Sequence, residues 1–307
     1  ATAGRLPTLR PRDCLPLVVC TAVPQQEVRQ VDREQRIARV ATLMARRHQV
    51  RDGAAQVPHR PRICLVIVAQ DSHLPLTTWF RAMWYVTNQK SGVSALGLQR
   101  ALGLGGYKTA WSVLHKLRRA MVRPGRDRLH GTVEVDETYW GSQEPGLIGR
   151  MRYDKALIVV AAEQDGRGIG RIRMRRVPDL TKASLHGFIA QAIEPGSTVQ
   201  TDGLNAYLGL QSYTHDRRVQ RRQPEGERLL PRVHRVVSLL KRWLLGTHQG
   251  AVGHVHLDYY LDEFTFRFDR RRSRSRGLLF YRLLEQAVQT DPTPAHALFL
   301  TKGRRRR

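Results

Sequence analysis

Asp136 sits within Thr-Val-Glu-Val-Asp-Glu-Thr-Tyr, residues 132–139, and Asp202 follows the short stretch Thr198 to Thr201 as half of an Asp-Gly pair. Two carboxylates held close together repel each other unless a cation sits between them. Aspartates at matching points of neighbouring strands would therefore make a divalent-metal site of hard oxygen donors. In phosphoryl chemistry, paired ions in such a site clamp the attacking and leaving oxygens. Asp202 also reads as a plain turn former, because Asp-Gly is a common turn pair. His234 opens a segment that ends at Lys241, and seven helical residues make nearly two turns, so the two share a face. The imidazole is suited to ligating a metal and the ammonium to holding a phosphate. Helix-start hydrogen bonding for His234 and solvation for Lys241 account for the same pattern. Glu263 competes as a third acid, but Arg267 four residues on explains it as an ion pair, and His234 is preferred. By strand alternation Glu137 points away from Asp136, whereas Glu134 shares its face at a remove of roughly 7 Å, where it would support rather than ligate.

These residues must be placed by an α/β arrangement. Periodicity predicts helices over Thr77–Gln89, capped by Thr77 or Thr78, over Ser91–Leu104 and over Tyr107–Met121. The last two flank a glycine turn. The third carries Lys108, Lys116, Arg118 and Arg119 mostly outside its apolar stripe, which suggests a helix-turn-helix, or equally a bundle with a solvated basic face. After Pro124-Gly125 the period changes to two. Strands are predicted over Thr132–Tyr139, Ala156–Glu163, Gly170–Val177 and Thr198–Thr201, with a helix over Lys182–Ile193. Further helices fit His234–Leu245, His256–Phe268 and Gly277–Val288. Upstream, Ile63 to Ala69 reads as a buried strand, and Cys14, Cys20, His59 and Cys64 lack the paired knuckles of a zinc ribbon.

The chain has 307 residues and a formal net charge of +26, with 41% hydrophobic residues, so it is expected to form packed cores and to meet an acidic partner. The charge is uneven: +9 over residues 77–130, −1 over 131–203 and +8 over 204–289. A nearly neutral segment bearing both aspartates, set between basic ones, suits a metal centre between DNA-gripping surfaces. No run approaches the roughly 18 apolar residues of a spanning helix, and no secretory leader pattern follows Ala1, so no membrane association and a cytoplasmic, nucleoid-associated protein are expected. Three cysteines fit a reducing compartment.

Val133 to Gly141, Thr201-Asp-Gly203, the His234–Lys241 helix, Gly246-Thr-His-Gln-Gly250 and the His256–Arg267 run together resemble the bacterial insertion-sequence transposases of the ISXO-two-like group, over about residues 71–289. The resemblance implies an RNase H-like mixed sheet flanked by helices and preceded by a helix-turn-helix-like segment. It also implies DDE-type chemistry, with Asp136, Asp202 and His234 as catalytic residues binding Mg2+ or Mn2+. Such an enzyme hydrolyses DNA at element ends and then transfers the strand to a target, acting as a homo-oligomer on DNA.

On this reading residues 1–70 are a poorly defined segment, 71–130 a helical DNA-binding segment, 131–289 the catalytic domain and 290–307 a basic tail. Lys108, Lys116, Arg118, Arg119, Lys241, Arg270 and Arg271 are the expected DNA contacts. The chain departs from its relatives in carrying His234 where many have Glu or Asn, and Asp269 before Arg270 and Arg271 where Asn is usual. It also lacks a cysteine-knuckle ribbon in residues 1–70, as an upstream frameshift or a misassigned start would produce. A non-catalytic DNA-binding protein, either a decayed transposase or a repressor, is the competing reading, and a nuclease without strand transfer is a third.

Overall fold

The computed structural model describes residues 67–69, 72–123, 125–141, 155–219, 229–291, 293–294 and 298–299. Cys14, Cys20, His59, Cys64 and the arginines at 304–307 lie outside these residues. Five strands form one sheet: β1 (Thr132–Trp140), β2 (Ala156–Asp165), β3 (Gly168–Val177), β4 (Thr198–Thr201) and β5 (Thr214–Arg217), in the order β3-β2-β1-β4-β5. β2 lies antiparallel to both β1 and β3, while β4 runs parallel to both β1 and β5. An antiparallel meander extended by parallel strands, with helices on both faces, is the RNase H-like arrangement that the resemblance implied.

Seven helices accompany the sheet among the described residues: α1 (Leu76–Asn88), α2 (Ala95–Leu102), α3 (Tyr107–Ala120), α4 (Lys182–Ala192), α5 (Pro231–His248), α6 (Leu257–Asp269) and α7 (Arg276–Gln289). Alternation along the strands divides the core in two. Val133, Val135, Val159 and Ala161 face α4 through Leu185, Phe188 and Ile189. Ile158, Val160, Ala162, Ile172 and Met174 face α5 and α6 through Val236, Leu240, Leu244, Leu261 and Phe264. β2 is therefore apolar on both sides, as a strand covered by two helical layers must be.

Some local expectations give way. Residues 67–69 form a 3-10 turn rather than the end of a strand. α1 starts after Pro75 with no side-chain cap from Thr77 or Thr78. α2 is capped by Ser94 and ends at Gly103 in the left-handed region, so a glycine turn does lead into α3. However, α3 is a core helix: Ala110, Val113, Leu114, His115, Lys116, Leu117 and Arg118 are all buried, and only Tyr107, Lys108, Thr109 and Arg119 are exposed. It packs against α6 and α7, which leaves little of the open face that a groove-reading helix needs.

Arg118 explains part of this. Its Nε donates to Glu263 at 2.7 Å, Arg267 Nε donates to the same carboxylate at 2.8 Å, and Arg267 Nη1 and Nη2 donate to the carbonyls of Gln89 and Val86. This buried cluster joins α1, α3 and α6, and the Arg267–Glu263 pair is the one the four-residue spacing suggested. Gly92, at φ +87, lets the α1–α2 connection approach α5, where Trp243 Nε1 donates to the Ser91 carbonyl at 2.8 Å. No helix of the described residues is long and apolar enough to cross a membrane.

Candidate active site

β1 and β4 pair with Val135 opposite Thr201, so the next residue of each, Asp136 and Asp202, leaves the pair at the same level. The parallel register thus brings together two carboxylates far apart in the chain. Asp136 is largely shielded, and its Oδ1 accepts from the Glu137 N–H at 2.9 Å. Asp202 Oδ1 accepts from the Leu204 N–H at 2.9 Å, so the Asp-Gly pair does make a turn, and the turn holds the carboxylate in place. Burial pushes the Asp136 carboxyl up and the Asp202 charge adds to that, while the Glu137 N–H and His234 draw it back down.

Glu137 joins them. Ligand atoms of Asp136, Glu137 and Asp202 lie within 4.8 Å of one another. Strand alternation sets Glu137 on the opposite face, but pairing between β1 and β4 stops at Val135, and beyond that point the side of β1 is open for its carboxylate to reach round. Tyr207, fully buried on the 3-10 turn that follows Asp202, donates to Glu137 Oε2 at 3.1 Å. That contact brings the chain after β4 back onto β1 and holds Glu137 in place.

His234 stands at the start of α5 with Nε2 3.2 Å from Asp136 Oδ2 and about half of its side chain exposed. It meets the acidic group through Asp136, while the third member of the carboxylate cluster is Glu137. The placement of α5 has an identifiable cause. The helix begins after Leu230, which is in the left-handed region at φ 47 and offers no capping side chain. Glu134, fully buried on β1, caps it instead: Oε2 accepts from the Arg232 and Val233 N–H groups at 2.7 and 2.9 Å, and Oε1 accepts from Arg232 Nη1 at 2.9 Å. A carboxylate at a helix N-terminus meets both the orphan donors and the helix dipole. Glu134 and Asp136 share a strand face, so one strand holds the helix start with one acid and meets His234 with the other.

The remaining expected site residues are spread out. Lys108 and Arg119 are exposed at opposite ends of α3, whereas Lys116 and Arg118 are buried, which corrects their expected place on a solvated face. Lys241 is half-buried on α5. Arg270 lies 4.2 Å over the Phe266 ring, and Arg271 lies 3.9 Å over Phe268 while donating to the carbonyls of Gly170 and Ile169. Asp269 Oδ1 accepts from the Ile172 N–H at 2.8 Å and Oδ2 from Arg173 at 3.0 Å, fastening the end of α6 to β3.

Residues 128–269 match the family model of the ISXO2-like transposase domain. No curated protein sequence matches the chain. Among solved structures, a simian T-cell lymphotropic virus intasome in complex with PP2A regulatory subunit B56 gamma is 15% identical, covering 66% of this chain and 72% of that chain, with a TM-score of 0.31. A Mos1 strand transfer complex is 12% identical, covering 78% and 79%, with a TM-score of 0.23. A pre-cleavage Mos1 transpososome is 10% identical, covering 80% and 85%, with a TM-score of 0.21. At such scores these likenesses add nothing to the strand order already described. The part of the chain that is similar to the ISXO2-like transposase domain, residues 128–269, is the part that carries the sheet with Asp136 and Asp202 side by side.

Proposed function

We propose that the chain is a DNA transposase that hydrolyses phosphodiester bonds at the ends of an insertion sequence and then joins the freed 3′ end to target DNA, working as a homo-oligomer. The observation that carries this reading is the register of β1 against β4, which sets Asp136 beside Asp202. Three carboxylates within 4.8 Å, one of them pushed up by burial, form an oxygen-donor set that suits Mg2+ or Mn2+. Asp136, Glu137 and Asp202 would hold the ion, which when bound activates water and neutralises charge at the phosphoryl group. Asp136 and Asp202 orient the attacking oxygen. Glu137, kept in place by the Tyr207 hydroxyl, completes the donor set. His234, half-exposed and hydrogen-bonded to Asp136, is placed to take up a proton from the attacking oxygen and to fix the Asp136 carboxylate.

A strand-transfer assay with end-containing DNA and Mg2+ or Mn2+ tests this reading. Wild type is expected to nick and join. Asp136→Asn and Asp202→Asn are each expected to lose at least about a hundredfold in rate, in keeping with the loss of a group acting at the reacting centre. Equal cleavage by either variant would falsify the assignment. The second reading, a DNA-binding protein without catalysis, is favoured by His234 standing where many relatives carry Glu or Asn. It predicts DNA binding with no metal-dependent cleavage.

A further inference from the structure

β3 is an outer strand of the sheet, and every second residue from 171 to 175 is an arginine. Arg171, Arg173 and Arg175 therefore project from one face at intervals of about 7 Å. Two clefts of about 440 and 570 Å3 run along this edge and meet at Arg126 and Arg173, which line both. Five arginines line the first and six the second, nine in all, against five carboxylates. Several are already engaged: Arg171 with Glu163, Arg173 with Asp269, Arg176 with Asp258, Arg123 with Asp127.

Arg126 is not. It lies where the clefts join, largely removed from water, and makes no hydrogen bond or ion pair among the described residues, with Asp262 and Asp269 acting on it only through space. Arg119, exposed on α3, borders the same cleft and likewise makes no hydrogen bond or ion pair among the described residues, acting on Asp262 and Tyr259 only through space. A guanidinium that gives up hydration without gaining an acceptor is costly to keep, unless an anion supplies the acceptor. Burial pushes the Asp262 carboxyl up to about 7 against the pull of Arg126 and Arg119, so it offsets less of the positive charge than its formal charge implies.

We propose that this double cleft along the β3 edge is a second nucleic-acid site, in which Arg126 and Arg119 bind the phosphodiester backbone of DNA away from the Asp136–Asp202 centre. Planar guanidinium forks match phosphate oxygens two at a time, and cations repeated along an extended strand suit a polymer of phosphates better than one small anion. An acidic peptide laid along the same edge is the competing occupant. The proposal rests on the DNA-acting reading of the chain.

The test is fluorescence anisotropy of full-length protein with a labelled 30-base-pair duplex across a salt series. It compares wild type, Arg126→Ala, Arg126→Lys, Arg119→Ala/Arg126→Ala and Arg100→Ala, the last a comparable charge loss on the exposed face of α2. Thermal midpoints check folding, and Arg119→Ala alone, changing an exposed side chain, serves if Arg126 variants misfold. The double variant is expected to bind about tenfold more weakly and to lower the slope of log affinity against log salt by about 1 for each phosphate no longer neutralised. Arg126→Lys should keep the charge and still lose affinity, and Arg100→Ala should hold near wild type. Three results overturn the proposal: cleft variants that bind like wild type, Arg100→Ala weakening binding as much as Arg126→Ala, or a polyglutamate peptide competing as well as unlabelled duplex. If wild type binds no DNA, both this site and the transposase reading fail, whereas wild-type binding that is indifferent to the cleft removes the site alone.

Discussion

Glu263 shows how much a single side chain can organise. It is fully buried, and the guanidiniums of Arg267 and Arg118 hold its carboxyl down to about 2 against the desolvation that would raise it. A carboxyl with its folded value below its ordinary value near 4.5 contributes stability that is complete above about 4.5 and is lost as pH falls towards 2. Urea midpoints measured from pH 6 down to 2.5 should therefore drop through that window. Glu263→Gln should flatten the drop and cost about 3–5 kcal/mol at neutral pH, because it leaves two buried cations short of their partner. At the site, Tyr207→Phe removes the hydroxyl that holds Glu137 while keeping the ring in its apolar surroundings. It should raise the Mn2+ concentration needed for half-maximal cleavage several-fold and leave DNA affinity unchanged; an unaltered metal requirement would count against Glu137 as a ligand. The pairing of Asp136 with Asp202 is legible in the sequence because one lies at the centre of a patterned strand and the other directly follows a second strand. Glu137 is not, since alternation speaks only for residues inside a fully paired strand. Local periodicity misplaces Lys116 and Arg118 because the carboxylate that draws Arg118 inward lies 145 positions away, beyond any local period.

At the scale of elements, α5 depends on an acid outside itself. Glu134→Ala leaves the N–H groups of Arg232 and Val233 without an acceptor at the start of the helix that carries His234. The expected loss is about 1–3 kcal/mol, read by chemical denaturation, and Glu134→Gln, which keeps an acceptor oxygen, should recover part of it. The α1–α2 connection makes a comparable demand. A Cβ on Gly92 would meet Trp243 Nε1 at 2.7 Å in a backbone region that side chains avoid, so Gly92→Ala should cost about 1–3 kcal/mol, seen as a lowered thermal midpoint. Helix and strand positions follow closely from periodicity, to within a few residues for β1 to β4 and all seven helices. β5 does not, because Thr-His-Asp-Arg has no apolar alternation and becomes a strand only by pairing with β4. The first turn of α5 is also hidden, since its cap is supplied by another element.

At the scale of the whole molecule, the order of the strands sets a schedule. β1, β2 and β3 are sequential antiparallel neighbours and can pair as soon as residue 177 is available, through contacts that are local in sequence. β4 must cross α4 and come back to lie parallel against β1 before Asp202 stands beside Asp136, and α5 must then dock on Glu134 before His234 arrives. A chain released early during synthesis therefore carries one aspartate of the pair and no means of cutting. For a protein read as a DNA-breaking enzyme, the parallel strand doubles as a check on synthesis, because competence to damage the genome is withheld until the chain has been made past Asp202 and His234.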